Sequence, residues 1–195
     1  MEYEKKIWDT FRYGDESSFR ILFDEYYAPL FNYGYKFTTD NFIIEEALQD
    51  LFVKLWKNKS SIDKTGSVKN YLYKAFRRVL LRKLEYTPRL HLFAQSDENI
   101  PFNIELGHDD VMIRGENLEE TRQRLQQALA ALSPRQREII HLRYFEELDY
   151  DEIAVIMQLS VSSAYKLLYR ALDSLKGQFN TLEWIAVMYV LSLKK

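Results

Sequence analysis

Apolar residues recur at spacings of three and four along almost the whole chain, which is the spacing that gives an α-helix one apolar face. The pattern is lost between about Glu85 and Arg114, where prolines and acidic pairs interrupt it. A stretch of that length without periodicity is unusual inside one compact domain. The sequence therefore predicts an all-α protein of two helical domains, residues 1–86 and 116–177, joined by a flexible acidic linker, residues 87–115.

Local signals indicate where the helices of the first half begin and break. Asp15 is the predicted N-cap of a helix over 16–37, because its short acidic side chain accepts hydrogen bonds from unpaired backbone amides. Pro29 and Gly34 should kink this helix or split it. Two further helices are predicted, over 42–58 and 68–84, with a polar loop between them.

The second half predicts a helix-turn-helix. Helix starts are indicated at Ser133 and Asp149, each followed three residues later by the Gln or Glu of a capping box. A tight break at 158–160 separates a short helix from a longer one over 161–176, although any helical hairpin in a bundle gives the same pattern. The outward positions that would face base edges in a major groove are Val161, Ser162, Ser163, Tyr165 and Lys166.

Residues 178–195 form an apolar tail. Its central dozen residues are fewer than the roughly 20 that a bilayer-spanning helix needs. The tail is predicted to be a terminal helix packed on its own domain. The alternative is a docking surface for a partner or an interfacial membrane contact.

Residues 60–90 carry 8 basic and 2 acidic residues, a local net charge of +6 in a chain whose net charge is −2. Cations hold phosphates, and aromatic faces stack on unpaired bases, so this segment is a candidate for nucleic-acid contact. The alternative is a solvated basic face whose aromatic side chains belong to the core.

Several chemistries are disfavoured by residue content. The chain has no cysteine, and His91, His108 and His141 lie far apart, so neither a thiolate nor a histidine metal site is expected. Arg135 and His141 share one helix, but no second acid–base group accompanies them, and no phosphate-binding glycine loop is present. The sequence predicts no enzyme, no cofactor and no small-molecule substrate. The charged N-terminus lacks a signal-peptide pattern, which favours the cytoplasm.

Several motifs together resemble extracytoplasmic-function RNA polymerase sigma factors. Their second conserved region is similar to 14–27, 44–56 and 68–77 of this chain, and their fourth region is similar to 132–138, 142–145, 150–154 and 168–172. The motifs occur in the family's order, with a linker between the two groups.

The resemblance implies a protein that binds core RNA polymerase, recognises promoter DNA and promotes its melting. It also implies that an anti-sigma factor binds this protein when it is not bound to polymerase. It implies polymerase contacts by Glu46, Gln49, Asp50 and Lys54. It implies minus-ten contacts by Lys64, Lys69, Tyr71, Tyr73, Lys74, Arg77, Arg78 and Arg82. It implies minus-thirty-five contacts by Arg135, Arg143, Ser160, Val161, Ser162, Ser163, Tyr165, Lys166 and Arg170.

The chain departs from the family pattern at several positions. Tyr165 and Leu167 stand where the family commonly has Lys and Arg, which lowers the expected phosphate affinity of the recognition helix. Gln158 occupies a turn position often held by Gly, where a positive φ is expected. Two alternatives remain: a helix-turn-helix regulator that does not engage polymerase, which leaves 10–86 unexplained, and a sigma-like interaction module that does not read DNA.

Overall fold

The computed structural model describes residues 2–85, 100–106 and 116–192, and within these ranges the chain is helical, without β-strands. It divides into two compact units at Ile100 and Pro101. The helices of the first unit are α1 (Glu2–Arg12), α2 (Glu16–Tyr35), α3 (Asn41–Lys57) and α4 (Val68–Glu85), with a 3₁₀ turn at Lys59–Ser61. Those of the second are α5 (Glu116–Ala131), α6 (Pro134–Ile140), α7 (Tyr150–Met157), α8 (Val161–Lys176) and α9 (Thr181–Ser192). None of the helices in the described ranges has the length and hydropathy needed to span a bilayer.

Helix α2 is continuous, so of the two predicted effects of Pro29 and Gly34, a kink or a split, the split does not occur. Asp15 caps the helix as predicted, since its carboxylate accepts a hydrogen bond from the Ser18 amide at 2.7 Å. Apolar side chains one turn apart, including Leu30, are buried along the helix on both sides of the proline. Their burial stabilises the helical path by more than the one backbone hydrogen bond that Pro29 removes.

Gly34 is a packing position rather than a helix end. A Cβ atom built there would lie 2.9 Å from Cγ2 of Ile44 in α3 and 2.9 Å from Cζ of Phe76 in α4. No side chain fits at these distances, so the glycine allows α2 to approach both neighbouring helices closely.

Both predicted capping boxes are present in the second unit. Ser133 Oγ accepts from the Gln136 amide at 3.3 Å, and the Ser133 amide donates back to Gln136 Oε1 at 2.9 Å. Asp149 and Glu152 make the same reciprocal pair at 2.9 and 3.0 Å. The helix that begins at Pro134 continues beyond α6 as one π-helical turn over His141–Phe145.

The linker prediction does not hold for residues 101–106, which belong to the second unit. Phe102, Ile104 and Leu106 are buried. The side-chain Nε2 of Gln126 donates to the Ile104 carbonyl at 2.7 Å, and its Oε1 accepts from the backbone amide of Leu106 at 3.0 Å. Arg137 Nε donates to the Phe102 carbonyl at 2.5 Å. The rest of the predicted linker, 87–99 and 107–115, lies outside the described residues.

The apolar tail contains α9, which packs against α5 of its own unit. Val187 and Leu191 of α9 are buried. Arg124 of α5 forms an ion pair with Glu183, and its guanidinium lies 5.3 Å from the centre of the Phe179 ring. These contacts fix the start of the terminal helix.

Replacement of Gly34 by alanine should destabilise the first unit. We expect Gly34→Ala to lower its free energy of unfolding by about 1–3 kcal/mol, because the added methyl group overpacks the contact with Ile44 and Phe76. The measurement is chemical denaturation, with hydrogen exchange to assign the transition to helices α2–α4.

The matched control is Gly66→Ala. A Cβ atom at position 66 meets no heavy atom within 4 Å, so we expect a change of at most about 1 kcal/mol, in the stabilising direction. Equal stabilities for the Gly34 and Gly66 variants would contradict the close packing described for α2.

Candidate functional site

The predicted polymerase-binding residues lie on one side of α3. Glu46, Gln49 and Lys54 are exposed and Asp50 is half-buried. Lys83 of α4 reaches across to this face, with its ammonium 3.3 Å from the Glu46 carboxylate and 3.0 Å from that of Asp50. Burial alone would lower the pKa of Lys83, but the hydrogen bonds to Asp50 and Glu46 outweigh it and the net shift is upward. A charged lysine therefore offsets part of the acidic charge of α3.

A cleft of about 220 Å³ lies between α3 and α4. It brings together residues predicted for two different partners. Its walls include Asp50, Lys54, Ile62, Tyr71, Arg78 and Arg82. Burial raises the pKa of the half-buried Tyr71 phenol, so the ring is neutral at physiological pH. The cleft thus offers an aromatic surface beside two exposed guanidinium groups, a combination suited to an unpaired base and its phosphate.

An aromatic groove of about 430 Å³ runs along the other side of α3, between α3 and α2. Its apolar walls are formed by Phe19, Phe23, Tyr27, Phe52, Val53 and Trp56, and Gln49 lies at its edge. The Phe23 and Phe52 rings are 4.8 Å apart, and both Phe23 and Val53 are exposed. Sequence reasoning missed this groove because the spacing of apolar residues gives each helix an apolar face without showing which residues of that face stay exposed. The sequence feature that indicates the groove is the presence of Phe23 and Val53, two apolar residues that lie beside the buried faces of α2 and α3 and are exposed.

The structure corrects two predicted minus-ten residues. Tyr73 is 0% exposed, and its ring packs 5.2 Å from that of Tyr33 in α2. Arg77 follows Tyr73 by one helical turn on the same face and is 1% exposed. The prediction that Tyr73 stacks on bases and Arg77 contacts phosphate is therefore wrong, because α4 turns this face inward.

The other predicted cations of this segment differ in their surroundings. Lys64, Lys74, Arg78 and Arg82 are exposed. Lys69 is half-buried, with its ammonium 5.5 Å from the Tyr73 ring centre. The predicted cations that remain exposed are Arg78 and Arg82 at the cleft, Lys64 in the loop before α4 and Lys74 on α4 itself.

The helix-turn-helix forms as the sequence predicts. Gln158 adopts φ +54°, which confirms the positive φ expected at the turn. Ser160 caps α8, since its Oγ accepts from the Ser163 amide at 3.1 Å. The small side chains of Ala154 in α7 and Ala164 in α8 are both buried.

The outward face of α8 is exposed over its first three turns. The predicted residues on this face are Val161, Ser162, Tyr165, Lys166 and Arg170. The Ser160 and Ser163 hydroxyls lie 2.8 Å apart and form a hydrogen bond with each other at the N-cap of α8. Sequence reasoning missed Tyr169, which is 72% exposed one turn after Tyr165. Its spacing of four from Tyr165 is the signal that identifies it.

An aromatic stack holds the side chain of Tyr165. Its ring lies on that of Tyr150 with centroids 3.6 Å apart and an angle of 18° between the planes. Arg143 lies 5.5 Å from the Tyr150 ring centre and donates to the Leu148 carbonyl at 2.8 Å. These two contacts hold Arg143 within the second unit, beside the Tyr150 ring. Arg135, the other predicted arginine before α8, is half-buried at the start of α6.

His141 is a core residue. It is buried in the π-helical turn, with its ring 5.5 Å from Phe102 and 5.4 Å from Phe145. Within the described ranges, no cluster of three or more histidine or acidic residues is arranged to hold a metal ion. The imidazole Nε2 of His141 lies 3.6 Å from the Glu146 carboxylate inside the unit.

Comparison with known proteins identifies both units. The family model for sigma-70 region 2 matches residues 22–88, and that for sigma-70, region 4 matches residues 122–175. The ECF RNA polymerase sigma factor SigW of Bacillus subtilis is 22% identical over 173 residues, covering 87% of this chain and 92% of its own length. RNA polymerase sigma factor YlaC of the same organism is 25% identical over 159 residues, covering 82% of this chain and 90% of its own length.

A solved structure of CnrH in complex with the cytosolic domain of CnrY shares the fold, with a TM-score of 0.58 and 20% identity over 89% of this chain and 95% of that one. The chain belongs to the sigma-70 family, within its extracytoplasmic-function group. It is an alternative sigma factor, and its family consists of non-catalytic transcription initiation factors that bind core RNA polymerase and promoter DNA.

The Tyr150–Tyr165 stack should be measurable as a coupling energy. In a double-mutant cycle with Tyr150→Leu and Tyr165→Leu, we expect the two substitutions to be non-additive by about 0.5–1.5 kcal/mol, because each removes the same ring contact. The measurement is chemical denaturation of the four proteins.

A second cycle, pairing Tyr150→Leu with Tyr169→Leu, provides the control. Tyr169 lies one turn further along α8 and is exposed, so we expect additivity within about 0.5 kcal/mol. A coupling as large as that of the first cycle would show that the energy does not arise from the stack.

Proposed function

We propose that this sigma factor docks on core polymerase through α3 and receives the melted minus-ten element on α4 and its preceding loop. The single observation that carries this assignment is the α3–α4 cleft, in which Asp50 and Lys54 lie beside Tyr71, Arg78 and Arg82. A protein that melts DNA for polymerase must hold the separated strand next to the enzyme. The cleft provides that proximity within one pair of helices.

The proposed polymerase contact combines a polar and an apolar surface. Glu46, Gln49, Asp50 and Lys54 supply the polar side, and the aromatic groove beside Gln49 supplies an apolar one. Interfaces gain most of their binding energy from a desolvated apolar centre surrounded by polar residues. The groove is therefore proposed as the centre of the contact and the charges of α3 as its rim.

The minus-ten element would be held by exposed cations and one aromatic ring. Arg78 and Arg82 would contact phosphates, with Lys64 and Lys74 preceding them along the chain. Tyr71 would stack on a base released from the duplex. Lys69 is a lesser candidate because it is half-buried.

The minus-thirty-five element would be read by α8 in the major groove. Two cations, Lys166 and Arg170, lie on the face that also presents Val161, Tyr165 and Tyr169. With few cations to contact phosphate, the helix would depend more on aromatic and apolar contacts to base edges than on charge. Arg135 would assist from the start of α6.

We further propose that the chain acts in the cytoplasm, where polymerase works, and performs no bond chemistry itself. An anti-sigma partner is proposed because CnrH, which shares this fold, is solved in complex with the cytosolic domain of CnrY. A small-molecule substrate and a cofactor have no part in this proposal.

Substitution on α3 should weaken polymerase binding. For Gln49→Ala with Asp50→Ala, we expect at least an about tenfold loss of affinity for purified core polymerase, equal to about 1.4 kcal/mol. Val53→Asp should have a similar effect, because it places a charge in the aromatic groove. The measurement is a binding titration, with denaturation to establish that each variant is folded.

The control for the α3 substitutions is Glu16→Ala, an exposed acidic residue at the start of α2. Its affinity for core polymerase should equal that of the unmodified protein. Undiminished affinity of the α3 variants would mean that polymerase binds elsewhere.

Removal of the cleft cations should reduce the salt dependence of promoter binding. For Arg78→Ala and Arg82→Ala, we expect the slope of log affinity against log salt to become shallower by about 0.7–0.9 for each phosphate that the variant no longer neutralises. The probe is a forked DNA that the unmodified holoenzyme selects from a random pool.

Arg20→Ala is the matched control, because Arg20 is an exposed cation of α2 that does not line the cleft. Its salt slope should be unchanged. If the Arg78 and Arg82 variants keep the original slope, the cleft does not contact phosphate.

A further inference from the structure

Helix α1 precedes the residues matched by the region 2 model, and none of the predicted site residues lies on it. It nevertheless contacts the loop before α4. The indole Nε1 of Trp8 donates to the Asp63 carbonyl at 3.3 Å. One turn later, Arg12 Nε donates to the neighbouring Ile62 carbonyl at 2.5 Å. Two side chains of α1 therefore hold two consecutive carbonyls at the start of the loop 62–67.

These hydrogen bonds bear on the path of the loop. The loop lies between the 3₁₀ turn and α4, and the carbonyl at its far end, that of Ser67, accepts from the Tyr71 amide of α4 at 3.2 Å. The Ile62 and Asp63 carbonyls at its near end accept instead from side chains of α1. Thr65 Oγ1 donates to the Ser67 carbonyl at 2.9 Å and holds the far end of the loop. A backbone carbonyl removed from water without a donor costs free energy, so Trp8 and Arg12 favour one path at the near end.

Trp8 also supports the aromatic ring of the cleft. Its ring meets that of Tyr71 edge to face, with centroids 5.0 Å apart. Trp8 itself is 1% exposed, so it contacts no DNA directly. One buried side chain thus contacts both the loop that carries Lys64 and the Tyr71 ring that lines the cleft.

We propose that Trp8 and Arg12 are positioning residues for minus-ten recognition: they hold the loop 62–67 and the Tyr71 ring in the arrangement that receives the separated strand. The inference rests on the proposed function of the cleft and loop. It assigns to α1 a contribution to base discrimination in addition to its contribution to the core.

The test measures base discrimination by the reconstituted holoenzyme. The probes are the selected forked DNA and a copy with one base of its minus-ten element changed. Arg12→Met keeps the length of the side chain but removes its donors, so we expect an about tenfold lower discrimination between the two probes. Trp8→Phe keeps an aromatic ring but removes the indole donor and should act in the same direction. Affinity for core polymerase should remain unchanged in both.

Two further variants separate positioning from general stability. Arg12→Lys retains a donor near the Ile62 carbonyl and should restore most of the discrimination. Tyr26→Phe removes the hydrogen bond between Tyr26 and Glu4, which holds the other end of α1, and should leave discrimination unchanged. If Arg12→Met discriminates as well as the unmodified protein, or if Tyr26→Phe loses as much as Arg12→Met, the positioning role is overturned.

Lys64→Ala distinguishes failure of this inference from failure of the proposed function. It should lower affinity for the forked DNA, because the exposed Lys64 lies in the loop itself. If Lys64→Ala and Arg78→Ala both bind the forked DNA normally, the loop and cleft do not contact the minus-ten element and both proposals fail. If these two variants bind more weakly while Arg12→Met keeps its discrimination, only the role of α1 is overturned.

Discussion

The close approach of α2, α3 and α4 around Gly34 is the constraint on which the first unit depends. Because a hydrogen atom stands where any other residue has a side chain, Ile44 of α3 and Phe76 of α4 both pack against the backbone of α2. This contact fixes the separation of α3 and α4. The cleft and the aromatic groove lie on the two sides of α3, so both surfaces depend on the same packing.

The helices and their caps were predictable because those signals are local. Ser133, Asp149 and Ser160 each accept a backbone hydrogen bond from a residue three positions later, as their sequence contexts indicate. That Pro29 does not split α2 could not be inferred from the sequence, because the effect of the proline depends on the tertiary packing of α2. Tyr73 and Arg77 were misread for a related reason: composition identifies a basic helix, but not which of its faces turns inward.

The segment 101–106 illustrates a second limit of sequence reasoning. Its buried residues, Phe102, Ile104 and Leu106, alternate with a period of two, which is the signal of an extended strand rather than a helix. The run is short and stands among acidic and turn-forming residues, so the helical pattern of the chain obscured it. Its backbone is paired by side chains of α5 and α6, notably Gln126 and Arg137, and a pairing of that kind leaves no periodic trace in the sequence.

Under the function proposed for α8, the stack of Tyr165 on Tyr150 links promoter preference to the architecture of the second unit. A residue that only faces DNA is free to change as promoter sequences change, whereas Tyr165 also completes a contact with α7. A substitution there would alter the surface proposed to face DNA and the attachment of α8 together. On the proposed role of α8, divergence toward new promoters would involve coordinated changes at positions 150 and 165, which lie in two different helices.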